Sequence, residues 1–166
     1  EKSVEAENSG ITVIAQDTTM ETFINDYCAS GATIYMASAY RVNANTSESW
    51  NKAVTLKYSS YNSAKQMIYL RGNLTLDGGI ELDGSGYTIT GEGSVIELSG
   101  PGNRANLKIR DAKIENFNIT NSTSTIGKGY VIRLLSGNDL VLYSGAVIEN
   151  NSSVKGIIFS HGSSTV

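Results

Sequence analysis

The 166-residue chain has one cysteine, one proline and one histidine. It has no apolar run near the roughly 20 residues of a membrane-spanning helix. A lone Cys28 excludes a disulfide framework and a cysteine-based metal site, and it reads as a small buried apolar residue rather than a reactive thiol. A lone His161 and the absence of a D-x-D-x-D-G loop leave no metal-ligand spacing, so neither a metal nor a cofactor is expected. Basic residues are not in excess: 13 Lys and Arg face 16 Asp and Glu, giving a net charge of −3 and a pI near 5.1. That lacks the footprint of a nucleic-acid partner, and the apolar pattern gives no membrane insertion. Phe and Trp are scarce, at three and one, whereas Tyr reaches nine and Gly 17. With abundant Asn, Ser and Thr, the mix describes a strand-rich, turn-rich domain that can bury a core.

One segment departs from that description. Thr18 and Glu21 form a T-x-x-E capping box, and Met20, Phe23, Ile24, Tyr27 and Cys28 follow at helical spacing on one face. Gly31 sits where a left-handed helix stop belongs. Ala32–Met36 then alternates as a strand, and Ile11 and Val13 suggest a short strand before the helix. From Met67 onward a repeat emerges. Leu74-Thr-Leu76, Leu107-Lys-Ile109 and Leu140-Val-Leu142 start 33 residues apart. Interleaved with them run Met67–Leu70, Val95–Leu98, Val131–Leu134 and Gly156–Phe159. In-phase short strands separated by polar turns of variable length are the signature of a solenoid. The turns Asp77-Gly78-Gly79, Asp83-Gly84-Ser85-Gly86, Ser136-Gly137-Asn138 and Asn150-Asn151-Ser152 tolerate positive φ. The amphipathic helix reads as a lid over the exposed strand edges of the first turn of the solenoid.

The expected organisation is one domain over residues 1–166. It comprises an N-terminal strand, capping helix and first coil (1–42), a polar insertion (43–66) and the remaining coils (67–166). The polar start at Glu1, without Met, reads as a trimmed N-terminus of a secreted or cell-surface protein. Beyond Phe159 no cap is recognisable. The sequence is therefore expected to be part of a longer chain or an assembly, with self-assembly through the bare last coil.

METFINDYCASGATIYMASAYRV, with Gly31, Thr33-Ile34-Tyr35-Met36 and Tyr40, resembles the N-terminal cap and first coil of right-handed parallel β-helix proteins of the pectate-lyase-like superfamily. LTLDGGIELDGSGYTITG (Leu74 to Gly91) resembles that family's coil in which a Gly-rich turn precedes a T-I-x-G strand. The resemblance implies an all-β right-handed parallel β-helix with an amphipathic capping helix. It is barely specific for activity, because the fold hosts lyases, hydrolases, adhesins and tail spikes.

Two chemistries follow from that implication. A hydrolase needs two carboxylates flanking the scissile bond, about 5–10 Å apart, and the family's lyases pair a carboxylate-held Ca²⁺ with a base. Asp77 and Asp111, at neighbouring offsets in successive repeats, are a candidate acidic patch, with Arg71, Arg110 and Arg133 near in sequence. Asp83, Asp139, Glu81, Glu97 and Glu115 are further acids. Asp before Gly is also an ordinary turn residue, and His161 is only an echo of the family's hydrolase signature, so no catalytic residue is assigned. Binding needs less. Trp50, Tyr58 and Tyr61 are the candidate ligand contacts, with Tyr69 and Tyr87 as further aromatics among Asn, Ser and Thr, a combination suited to a carbohydrate or host-surface ligand. The N-x-S/T sequences at Asn45, Asn73, Asn118, Asn121, Asn150 and Asn151 are glycan acceptors in a eukaryotic secretory protein. In an Asn-rich bacterial surface protein, the favoured reading, they arise by composition. The expected function is a non-enzymatic extracellular module for adhesion, carbohydrate contact or head-to-tail surface assembly. The alternative is the N-terminal part of a polysaccharide lyase or glycoside hydrolase.

Overall fold

The computed structural model describes residues 18–36, 38–58, 66–86, 88–89, 93–100, 105–120 and 125–166, without the side chain of Tyr58. Ile11, Val13, Tyr61, Tyr87 and Asn121 lie outside the described residues. The protein is mostly β. Strands numbered along the chain fall into four sheets, and every strand pair is parallel. Sheet A has the order β1 (Ala32–Met36), β4 (Val54–Tyr58), β7 (Glu81–Asp83), β11 (Ala112–Glu115), β15 (Ala146–Glu149). Sheet B runs β17 (Gly156–Ser160), β13 (Tyr130–Leu134), β9 (Ile96–Leu98), β5 (Ile68–Leu70), β2 (Tyr40–Val42). Sheet C runs β14 (Asp139–Leu142), β10 (Asn106–Ile109), β6 (Asn73–Leu76), β3 (Ser47–Trp50). A short sheet D joins β16 (Ser152–Ser153), β12 (Asn118–Ile119) and β8 (Thr88–Ile89). The chain visits sheets A, B and C in rotation and includes sheet D from β8 onward, adding at most one strand to a sheet per passage.

The 33-residue recurrence is a register. Leu74, Leu107 and Leu140 pair across adjacent strands, as do Leu76, Ile109 and Leu142. Columns of like residues stack inside, and Leu74, Leu76, Leu107 and Ile109 are fully buried, each stabilising by about 1.5–3 kcal/mol. The second strand family forms sheet B, with Ile68, Ile96 and Ile132 in one column and Leu70, Leu98 and Leu134 in another.

Residues 43–58 differ from the expected polar excursion. They contribute β3 and β4, which pair with β6 and with both β1 and β7. Their apolar residues alternate with polar ones because each strand has one face inside: Trp50, Val54 and Leu56 are buried.

The opening helix is shorter and less regular than its spacing predicts. One α-turn, α1 (Met20–Thr22), runs directly into a π-helical turn, Phe23–Tyr27. The cap is Thr19, whose hydroxyl accepts from the Thr22 N–H at 3.1 Å, rather than Thr18. Glu21 does not close a capping box, because its carboxylate accepts the Ser49 N–H at 2.6 Å. Met20, Phe23, Ile24 and Cys28 are buried as the spacing implies, but Tyr27 is exposed. Gly31 has the expected positive φ, 89°, four residues after the helical segment has ended.

The turn between sheets C and A sets the spacing. Layers turn through Asp77-Gly78-Gly79, Arg110-Asp111 and Tyr143-Ser144-Gly145, so Asp111 (φ 51°) alone does the work of a residue pair. At Gly78 (φ 83°) an added Cβ would lie 2.4 Å from the Asn51 carbonyl oxygen, whereas at Gly86 (φ 70°) it would meet nothing within 4 Å. Gly86→Ala is expected to cost only the left-handed backbone penalty, about 1–2 kcal/mol. Gly78→Ala should cost clearly more, and urea denaturation of the two variants measures the difference.

Candidate functional site

The outer face of sheet A carries a set of acidic and basic side chains on adjacent strands. Strand alternation turns Glu81 and Asp83 outward on β7, Lys113 and Glu115 on β11, and Val147 and Glu149 on β15. Register then builds two columns. One runs Glu81, Lys113, Val147; the other runs Lys57, Asp83, Glu115, Glu149. Lys57 lies 3.5 Å from Asp83, and Lys113 lies 3.9 Å from Glu115 and 3.7 Å from Glu149. Tyr35 stands 37% exposed on β1 of the same sheet.

Two carboxyls on this face are perturbed in opposite directions. Burial pushes Asp83 up, but hydrogen bonds from Asn116 (3.0 Å) and the Ser85 N–H (2.7 Å), with Lys57 alongside, outweigh it and hold Asp83 below the usual carboxylate value. Glu115 is raised, first by its hydrogen bond with Glu81, then by burial and by the charge of Glu81, with Lys113 opposing. Glu81 and Glu115 are diagonal neighbours across β7 and β11, on either side of the Lys113–Glu81 and Glu115–Asp83 register pairs.

The sequence-predicted residues are distributed differently. Trp50 is fully buried: its ring meets Tyr40 edge-on, centroids 5.8 Å apart, and its Nε1–H donates to Glu48 at 3.0 Å. It has no face for a sugar, which corrects its place among the ligand contacts. Tyr58 ends β4, and Tyr61 lies outside the described residues. Asp77 and Asp111 both sit at the turn between sheets C and A. Asp77 is paired with Arg110 at 3.4 Å, and Arg110 in turn covers the Tyr143 ring at 4.3 Å. Asp111 helps line a groove of about 230 Å³ with Glu81 and Lys113, so it joins the edge of the sheet A site. Arg133 is remote from both: it lies on sheet B, buried against Glu97, which also meets Lys128 at 3.5 Å and accepts from Gln66. Tyr69 packs under Arg41 at 4.9 Å.

The sequence reading missed Glu48 and the pairing of Glu81 with Glu115. Glu48 stands two residues before Trp50, at an inward position that the Leu74 and Leu76 columns predict to be apolar. That mismatch was the available signal. Among the described residues no group of three or more His, Cys, Asp and Glu is arranged to hold a metal, and no helix is long and apolar enough to cross a membrane. Compared with protein-family models, curated proteins and solved structures, the chain matches none.

The two shifts set opposite pH dependences. Asp83, held low, adds stability above the normal carboxylate range, and this is lost as pH falls through its lowered value. Glu115, held high, favours the folded state at low pH, and that contribution is lost as pH rises through its raised value. Glu115→Gln keeps a hydrogen-bonding group beside Glu81 without the charge. It should raise stability at pH 7 by about 0.2–1 kcal/mol and bring no gain at pH 4, as read from urea midpoints at the two pH values.

Proposed function

We propose that the chain is a right-handed parallel β-helix of the pectate-lyase-like kind, working outside the cell as a non-enzymatic module for adhesion, carbohydrate contact or surface assembly. The outer face of sheet A is its contact surface. The carrying observation is the unbroken row of hydrogen-bonding groups from Lys57 through Asp83 and Glu115 to Glu149, laid across four adjacent strands. Carboxylates bind sugar hydroxyls as acceptors, and Tyr35 adds an aromatic edge to the same sheet. The rotation of the chain through parallel sheets, one strand per passage, supports the β-helix.

A second reading, a polysaccharide lyase or glycoside hydrolase, draws on one observation. Glu115, raised towards the protonated form, adjoins the groove shared by Glu81, Asp111 and Lys113.

One experiment separates the two. The protein is passed over immobilised glycans and pectin-type polymers, and the eluted polymer is sized. The expected result is retention that falls at least several-fold in Asp83→Asn/Glu149→Gln, with polymer length unchanged. Cleavage of any polymer by the chain overturns the module reading.

A further inference from the structure

Sheets A and B present outer faces of opposite charge. Outward on sheet A, Lys57 and Lys113 stand among four carboxylates, Glu81, Asp83, Glu115 and Glu149. The outward column of sheet B, Arg41, Tyr69, Glu97 and Arg133, holds one carboxylate. Arg71, one residue past β5, and Lys128, in the turn before β13, bring the described cations there to four. A chain of net charge −3 thus gathers a basic excess on one face. The single acid is already committed: Glu97 pairs with Arg133, meets Lys128 at 3.5 Å and accepts from Gln66. Among the described residues four buried side-chain polar atoms lack a hydrogen-bond partner, and three belong to this face: Arg71 Nε, Ser99 Oγ and Arg133 Nε. Arg133 is sealed, since a Cβ added at Gly127 would come within 2.9 Å of its Nε. Arg71 and Ser99 are only half-buried. They stand side by side. Leu70 and Leu98 pair and point inward, and the Ser99 N–H donates to the Leu70 carbonyl at 2.8 Å. The next residue of each strand, Arg71 and Ser99, therefore turns outward in one column.

We propose that Arg71 and Ser99 form a binding site for a tetrahedral oxyanion, a sulfate or phosphate group. The chemistry of the two side chains selects that class. A guanidinium Nε–H and its neighbouring Nη–H make a planar fork that grips two oxygens of one anion. The Ser99 hydroxyl adds a donor on the adjacent strand. A tetrahedral group has a third oxygen to offer it, whereas both oxygens of a carboxylate are taken by the fork. Buried donors without partners cost free energy, and an anion that accepts from both returns it. Arg41, stacked on the Tyr69 ring at 4.9 Å, keeps a further positive charge on the same face. That excess draws anions toward the site. The site lies on a different sheet from the proposed carbohydrate surface, so failure of the glycan test leaves it standing.

The test follows the arginine Nε–H and backbone amide resonances of the full chain by NMR as inorganic phosphate is added at constant ionic strength. The Arg71 Nε–H and Ser99 amide signals are expected to shift and saturate at millimolar phosphate, with acetate binding several-fold more weakly. Arg71→Gln should abolish the response at Ser99. Ser99→Ala should weaken binding several-fold at Arg71, and it keeps the test decisive if Arg71→Gln does not fold. Glucose 6-sulfate binding more tightly than phosphate identifies a sugar ester as the source of the anion; the reverse order identifies the free ion, and either supports the site. A response that never saturates, acetate binding as tightly as phosphate, or binding unaltered in the folded variants overturns the proposal.

Discussion

A stack of parallel strands must end somewhere, and its last strand presents backbone N–H and C=O groups that need partners. At β3 those partners are side chains. Glu21 accepts the Ser49 N–H at 2.6 Å, the Asn25 amide donates to the Ser49 carbonyl at 2.9 Å, and its oxygen accepts the Asn51 N–H at 3.2 Å. A carboxylate and an amide on one helical segment thus reproduce the bonding of a missing strand. Behind them Glu48 accepts from the Tyr40 hydroxyl at 2.6 Å, from Trp50 Nε1 and from the Glu21 N–H, both at 3.0 Å, while the Tyr40 oxygen accepts the Met20 N–H at 2.9 Å. Burial, then the bond to Glu48, keeps the Tyr40 phenol well above its usual pKa, so it stays a donor. With four polar groups satisfied around one buried carboxylate, the network holds the helical segment in one orientation.

From that end each layer is a template for the next. Like residues stack within columns, so the core grows by repetition and its outer face does too. The acid–base row on sheet A follows from this arithmetic: a residue one place from an inward Leu or Ile faces outward and recurs one strand away, about 4.8 Å on. The chemistry of the face is therefore a property of columns rather than of any one motif.

This explains what could be read in advance. Leu74, Leu107 and Leu140 announced their register because the turns of differing length between them add up to 33 residues each time. Sheet A was harder: its column of Leu82, Ile114 and Ile148 is spaced 32 and 34 residues apart, since Asp111 does alone what Gly78-Gly79 and Ser144-Gly145 do in pairs. A fixed period of 33 misaligns Glu81 with Ile114 and hides the Glu81–Glu115 pair. Trp50 misled for another reason. An aromatic among polar residues looks like a surface contact, but strand alternation and a buried acceptor, Glu48, turn it inward. The helical segment was legible from its apolar spacing; the use of its polar residues was not, because their partners lie 24 to 28 positions away.

The most direct measurement of the central claim is amide exchange at the β3 edge in Glu21→Ala/Asn25→Ala, with Tyr27→Ala on the exposed side of the same segment as control. If the two side chains stand in for a strand, exchange at Ser49 and Asn51 accelerates at least tenfold in the double variant, and stability falls by about 1–3 kcal/mol for the lost hydrogen bonds. The control changes neither. Unaltered exchange at both amides in a folded double variant would contradict the account.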